Sequence, residues 1–288
     1  MNFLWVNGME VEWRPLAAGE VLERTFLLYR ARFRLFVSIA LFAAALCTAW
    51  AAWQGWALGE LRAETAAFWQ GGRSLADLYV ALLADAFPLA AITCATAALL
   101  QGKPIGVAAS YRQVWPRWHC YLRLSLVAAV RVTWPLLIVL VAFAGWEKWM
   151  ARGAAAAGPW LLLEYLVALP ACIWLLCRYA LCLTVCVMEE GGVQASLRRA
   201  ARLSEGLRLK IFLLLLLVYI MLQILGFAAL VPVLEAFRHM PAHLPRAAAV
   251  YELAAEFFLT LMSMPVYGIG LTVIYMDACL RKDGAAWK

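Results

Sequence analysis

Apolar and polar positions alternate along this chain in long blocks. Six apolar blocks stand out, at about 35–58, 78–101, 122–146, 161–188, 211–234 and 257–276. Each is near or above the roughly 20 residues that a helix needs to cross a hydrocarbon core of ~30 Å. Leu35–Leu58 and Ile211–Leu234 are free of charge throughout. The pattern predicts an all-α polytopic membrane protein whose six transmembrane helices form three hairpins. The polar segments between blocks reach about 20 residues, too short for a separate soluble domain. Residues 1–288 therefore read as one membrane domain: an opening segment 1–34, a six-span bundle 35–276 and a tail 277–288.

The segment ahead of each hairpin has a helical period instead. Leu22, Phe26, Tyr29 and Phe33 fall on one helical face, with Arg24, Arg30 and Arg34 pointing elsewhere. Val193, Leu197, Ala200 and Leu207 share another face, opposed by Arg198, Arg199 and Arg202. Each hairpin is thus expected to follow a basic amphipathic helix on the cytoplasmic side, lying in the membrane interface with its cations near lipid phosphates. Packing of these faces beneath the bundle is a second, compatible reading. The segments also repeat. Gly106-Val107-Ala108-Ala109-Ser110-Tyr111-Arg112 and Gly192-Val193-Gln194-Ala195-Ser196-Leu197-Arg198 match at Gly, Val, Ala, Ser and Arg with an offset of 86. Gly19-Glu20-Val21-Leu22-Glu23-Arg24 matches more loosely, which predicts a threefold internal repeat.

Charge sets the expected orientation. Of the 25 Lys and Arg, seventeen lie in the opening segment, the second and fourth loops and the tail. Six lie in the other loops, and Arg131 and Arg178 fall inside apolar blocks. Positive residues accumulate on the cytoplasmic side, so both termini are expected there. With 66% hydrophobic and 15% charged residues, the net charge of +7 reads as attraction to anionic lipid headgroups and excludes nucleic acid as a partner. Tryptophans such as Trp53, Trp115, Trp118 and Trp149 sit near block ends, where amphipathic rings settle at headgroup level. The opening residues are charged and the first apolar block is too long for the core of a secretory signal.

Candidate chemistry is sparse. His239 and His243 are separated by Met240-Pro241-Ala242, and the proline spoils a shared helical face. Of Cys172, Cys177, Cys182 and Cys186, only the last two share a face, so small apolar packing explains them better than metal ligation. No metal, cofactor or catalytic residue is expected, and the chain reads as no enzyme. The intramembrane charges Asp85, Arg131 and Arg178 are the candidate ligand-binding residues, because such charges are costly and need partners. Arg131 and Arg178 are expected at matched depth, roughly 13–15 Å inside at 1.5 Å per residue, as a site for a lipid phosphate. Snorkelling, or pairing with Glu189, Glu190 or Asp277, is the alternative.

Three stretches carry a family resemblance. Arg14-Pro15-Leu16-Ala17-Ala18-Gly19-Glu20-Val21-Leu22-Glu23-Arg24 with Phe26 and Tyr29-Arg30 forms the first. Met188-Glu189-Glu190-Gly191 with Leu197-Arg198-Arg199 and Arg202-Leu203-Ser204-Glu205-Gly206 forms the second. Tyr275-Met276-Asp277 followed by Arg281-Lys282-Asp283-Gly284 forms the third. Together and in order they resemble the bacterial glycerophosphoryl diester phosphodiesterase membrane-domain family, with Glu190, Tyr275 and Asp277 as motif residues. Ala200 and Ala201 stand where the family has Ser and Trp, and Cys279 stands where it has Arg. The family takes its name from members fused to a soluble catalytic barrel of about 250 residues, for which this chain has no stretch. The resemblance therefore implies a standalone membrane unit in a bacterial cytoplasmic (inner) membrane.

The functional expectation is a non-enzymatic inner-membrane protein that associates with or senses anionic phospholipid. Arg24, Arg30, Arg112, Arg198, Arg199 and Arg202 are its interfacial cations. The alternative is a transporter or permease subunit with a polar path through Asp85, Arg131 and Arg178. A homo-oligomer and a membrane partner protein both stay open.

Overall fold

A computed structural model of the chain describes residues 3–6, 9–12, 15–59, 66–149, 157–239 and 245–283. A short antiparallel hairpin, β1 (Phe3–Val6) and β2 (Met9–Glu12), precedes the helices, with Val6 opposite Met9. Ten helices follow: α1 (Ala18–Ala31), α2 (Phe33–Gly59), α3 (Ala66–Leu100), α4 (Val107–Val114), α5 (Trp118–Trp149), α6 (Ala157–Tyr179), α7 (Cys182–Glu189), α8 (Val193–Ser204), α9 (Arg208–His239) and α10 (Pro245–Asp283). A 3-10 turn, Trp115–Arg117, joins α4 to α5. Six stretches of these helices are long and apolar enough to cross a membrane, and the chain is a multi-pass membrane protein.

The repeat is visible as architecture. Each of α1, α4 and α8 leads into an antiparallel pair: α2 with α3, α5 with α6 and α7, and α9 with α10. The helices α4 and α8 begin at Val107 and Val193, each after an extended glycine, Gly106 and Gly192. Both leave the preceding turn at equivalent points because the sequences match there. A buried hydroxyl recurs in all three: Thr25, Ser110 and Ser196. Thr25 Oγ1 donates to the Val21 carbonyl at 2.7 Å, and Ser110 Oγ to the Gly106 carbonyl at 3.0 Å. This back-bonding lets a hydroxyl be buried at a helix face. We call the end of the bundle that carries α1, α4 and α8 the basal end.

Small residues bring the spans together. Water exclusion cannot drive helix association inside lipid, so close van der Waals packing must. Ala40, Ala43 and Ala44 of α2 and Ala90, Ala91 and Ala95 of α3 are all fully buried. The most buried spans, α10 and α3, form the centre, and α9 is the most lipid-exposed. A Cβ at Gly268 of α10 would stand 2.7 Å from Ile92 Cγ2 and 2.8 Å from Leu89 Cδ1, so glycine alone permits the approach of α3. Gly270 meets Leu214 of α9 in the same way.

The basal turns are fixed by polar contacts. Glu190 ends α7 in the left-handed region at φ 52°, and Arg117 Nη2 donates to its carbonyl at 2.5 Å. Gly206, at φ 86°, turns the chain from α8 into α9 at an angle that L side chains rarely adopt. Tyr275 OH donates to Glu189 Oε1 at 3.1 Å, and Arg199 Nε meets the same oxygen at 3.0 Å.

Two boundaries differ from those read in the sequence. The fourth apolar block is broken at Ala180–Leu181, between α6 and α7. The boundary at 277 falls inside α10, where Asp277 is fully buried. In α1, Val21, Thr25 and Leu28 are buried, while Phe26 and, at the start of α2, Phe33 of the apolar face expected at the membrane interface are 40% and 43% exposed. That apolar face is therefore available to lipid, whereas α8 turns Leu197 and Ala200 inward and packs against the bundle.

Candidate functional site

Two features follow from this packing: a cationic cluster near the basal end and a cavity among the spans. The cluster assembles where α6 breaks. Arg178 lies in the last turn of α6, Arg131 on α5 and Arg208 at the first position of α9. The ring of Trp174 lies between two guanidinium groups, 5.2 Å from that of Arg178 and 5.1 Å from that of Arg208. The Tyr179 ring is 5.8 Å from the guanidinium carbon of Arg131 and 5.8 Å from that of Arg178. These distances lie within the range of cation–π attraction. Arg131 Nη2 also donates to Gln194 Oε1, in the first turn of α8, at 3.2 Å.

Stacking on a ring leaves the in-plane N–H groups of a guanidinium available to oxygen acceptors. Nε of Arg178 and Nε of Arg208 are buried without a hydrogen-bond partner among the described residues. The nearby carboxylates are engaged elsewhere: Glu189 with Arg199, Glu190 with Arg117, and Asp277 with Lys210 and Arg281. Three cations from three spans therefore share one aromatic platform, and no described carboxylate forms an ion pair with any of them. Such a set is complementary to an anionic group with several acceptor oxygens, such as a phosphate.

The cavity has about 820 Å³ and lies among α3, α5, α6, α7, α9 and α10. Its walls are mostly aliphatic. From α10 come Glu256, Thr260, Ser263 and Tyr267, one polar stripe at helical spacing. Asp85 of α3 also lines it, and Asp85 Oδ1 is buried without a partner among the described residues. Thr133 Oγ1 donates to the Ala129 carbonyl at 2.9 Å, so the contact of 2.6 Å with Tyr79 OH has tyrosine as donor.

The three charged candidates are thus parted. Asp85 lines the cavity; Arg131 and Arg178 do not, although Tyr179 belongs to both features. Arg131 reaches the juxtamembrane helix α8, so its guanidinium stands at the basal layer and not at the depth its position on α5 indicated. Arg30, Arg112, Arg198 and Arg202 are exposed and Arg24 and Arg199 half-buried. Glu190, Tyr275 and Asp277 serve the basal connections described above. Cys186 pairs with Cys120, Sγ to Sγ 3.7 Å, rather than with Cys182. Among the described residues no group of His, Cys, Asp or Glu could hold a metal ion; His239 closes α9 and His243 lies outside them.

Sequence reasoning missed Arg208, Trp174 and Gln194, because nothing in one chain pairs a loop arginine with a tryptophan 34 positions earlier. The α10 stripe was missed as well; its signal is the helical spacing of Glu256, Thr260, Ser263 and Tyr267 at the start of the last apolar block. No family model matches the chain, and comparison with curated proteins and with solved structures likewise gives no match.

Proposed function

We propose that this protein is a non-enzymatic, multi-pass protein of a bacterial inner membrane that holds anionic phospholipid, with its basal end and both termini in the cytoplasm. The observation that carries this reading is the convergence of Arg131, Arg178 and Arg208 on Trp174 and Tyr179 without a carboxylate partner among the described residues. A phosphate at this level would accept N–H bonds from more than one arginine, and its acyl chains would lie along the exposed spans. Exposed Trp174, within the cluster, gives apolar surface to such a lipid. The cluster offers the charge and aromatic surface that hold a phosphate. Orientation rests on the seventeen Lys and Arg on one set of loops against six on the other. The motif resemblance to the phosphodiesterase membrane-domain family is in keeping with a membrane unit of this kind. The test is mass spectrometry of lipids retained through purification: anionic phospholipids should be enriched over their share of the host membrane. Retention in proportion to that share would exclude the reading.

A further inference from the structure

The cavity has the opposite electrical character from the arginine cluster. Among the described residues, its lining includes two carboxyl side chains, Asp85 and Glu256, and no Lys, Arg or His. A volume of about 820 Å³ suits an organic molecule rather than a bare ion. The walls, among them Leu82, Leu89, Val132 and Leu222, would cover hydrocarbon or aromatic surface. Leu82, Leu169 and Tyr251 line the cavity and are themselves exposed, which gives it an edge toward lipid.

A buried carboxyl oxygen in such surroundings is costly without a partner. Asp85 Oδ1 has none among the described residues, while the neighbouring Thr133 hydroxyl is satisfied within the protein. The unmet demand is therefore for a hydrogen-bond donor or a positive charge from within the cavity. An anion is disfavoured by both carboxyl groups, and a water-soluble cation by the aliphatic walls. Tyr251 and Tyr267 add ring faces that attract cations. We infer that this cavity binds a lipophilic cation, an organic molecule with one positive centre inside an apolar envelope, and that Asp85 supplies the counter-charge. This site is separate from the arginine cluster and does not depend on it.

The test compares two probes of the same shape and opposite charge, tetraphenylphosphonium and tetraphenylborate. Full-length protein is placed in nanodiscs of uncharged phosphatidylcholine, and binding is measured by equilibrium dialysis against empty discs. Tetraphenylphosphonium should bind saturably, and Asp85→Asn should weaken it at least tenfold. Ala255→Phe, which places a ring at a lining position without touching a charge, should abolish it. Tetraphenylborate should not displace it. Because Asp85→Asn removes a charge from a packed helix, its thermal unfolding is compared with wild type; should it fail to fold, Ala255→Phe and the probe competition decide. Displacement by tetraphenylborate at equal concentration, or tetraphenylphosphonium affinity unchanged in both variants, would overturn the inference.

Discussion

Lys210 Nζ stands 2.7 Å from Asp277 Oδ2, joining the first turn of α9 to the last turns of α10. The same carboxylate accepts the Leu16 backbone N–H at 2.8 Å and Arg281 Nε at 3.0 Å. Lys210 Nζ and Arg281 Nη2 in turn donate to the Leu16 carbonyl, at 2.5 and 2.8 Å. One buried acid thus fastens the chain ahead of α1 to the ends of the last hairpin and closes the repeat on itself. Removing one partner of a buried pair strands the other charge. Asp277→Ala should therefore destabilise the protein by about 3–5 kcal/mol, read as a lower unfolding temperature in detergent. Arg281→Ala, with its partly exposed side chain, should cost about 1 kcal/mol or less. Equal effects of the two would show that the buried acid is not the centre of this network.

Packing of α10 against α3 gives a second expectation. Gly268→Val places methyl groups where a Cβ already meets Ile92 and Leu89 at 2.7 and 2.8 Å, and overpacking of this kind costs about 1–3 kcal/mol. Gly226→Ala would meet Leu259 Cδ1 at an ordinary 3.8 Å, and should change stability by about 1 kcal/mol at most. Thermal unfolding of the two variants side by side checks the difference. A tolerated Gly268→Val would mean that the two spans are farther apart than described.

Orientation is open to direct measurement. Reporter fusions after residues 30, 110, 200 and 288 should all report cytoplasm, and fusions near 65, 153 and 243 should report the opposite side. A C-terminal fusion that reports the far side would contradict an even number of spans. The weakest insertion is expected for α3, where Asp85 adds about 2–3 kcal/mol if it is placed centrally in the bilayer.

The sequence made the architecture legible because block hydropathy, loop charge and the offset of 86 act independently of distant contacts. Each span is helical, the fourth as α6 and α7 in succession, and α4 and α8 start where the repeat places them. What sequence left out depends on partners. The break at Ala180–Leu181 follows Arg178 in an otherwise apolar run with no Gly or Pro at the break, so hydropathy gives it no signal. In α1 the small hydroxyl of Thr25, which bonds its own helix, is buried while the larger Phe26 is exposed, a division that hydrophobicity alone does not indicate. Matched spacing brought Arg131 and Arg178 together around Tyr179, but the side chain of Arg131 reached outward to Gln194 and away from the cavity. Arg208 joined them from another span, which no spacing rule indicates.

The central claim is that the arginines form one anion site, and the direct measurement is quantitative mass spectrometry of lipid co-purified with wild type, Arg131→Gln, Arg178→Gln and the double variant. Each single change should reduce retained anionic phospholipid at least threefold while zwitterionic lipid stays constant. The double change should add little, since residues that share one ligand are coupled and their effects are not additive. Anionic lipid retained at the wild-type level in the double variant would contradict the account.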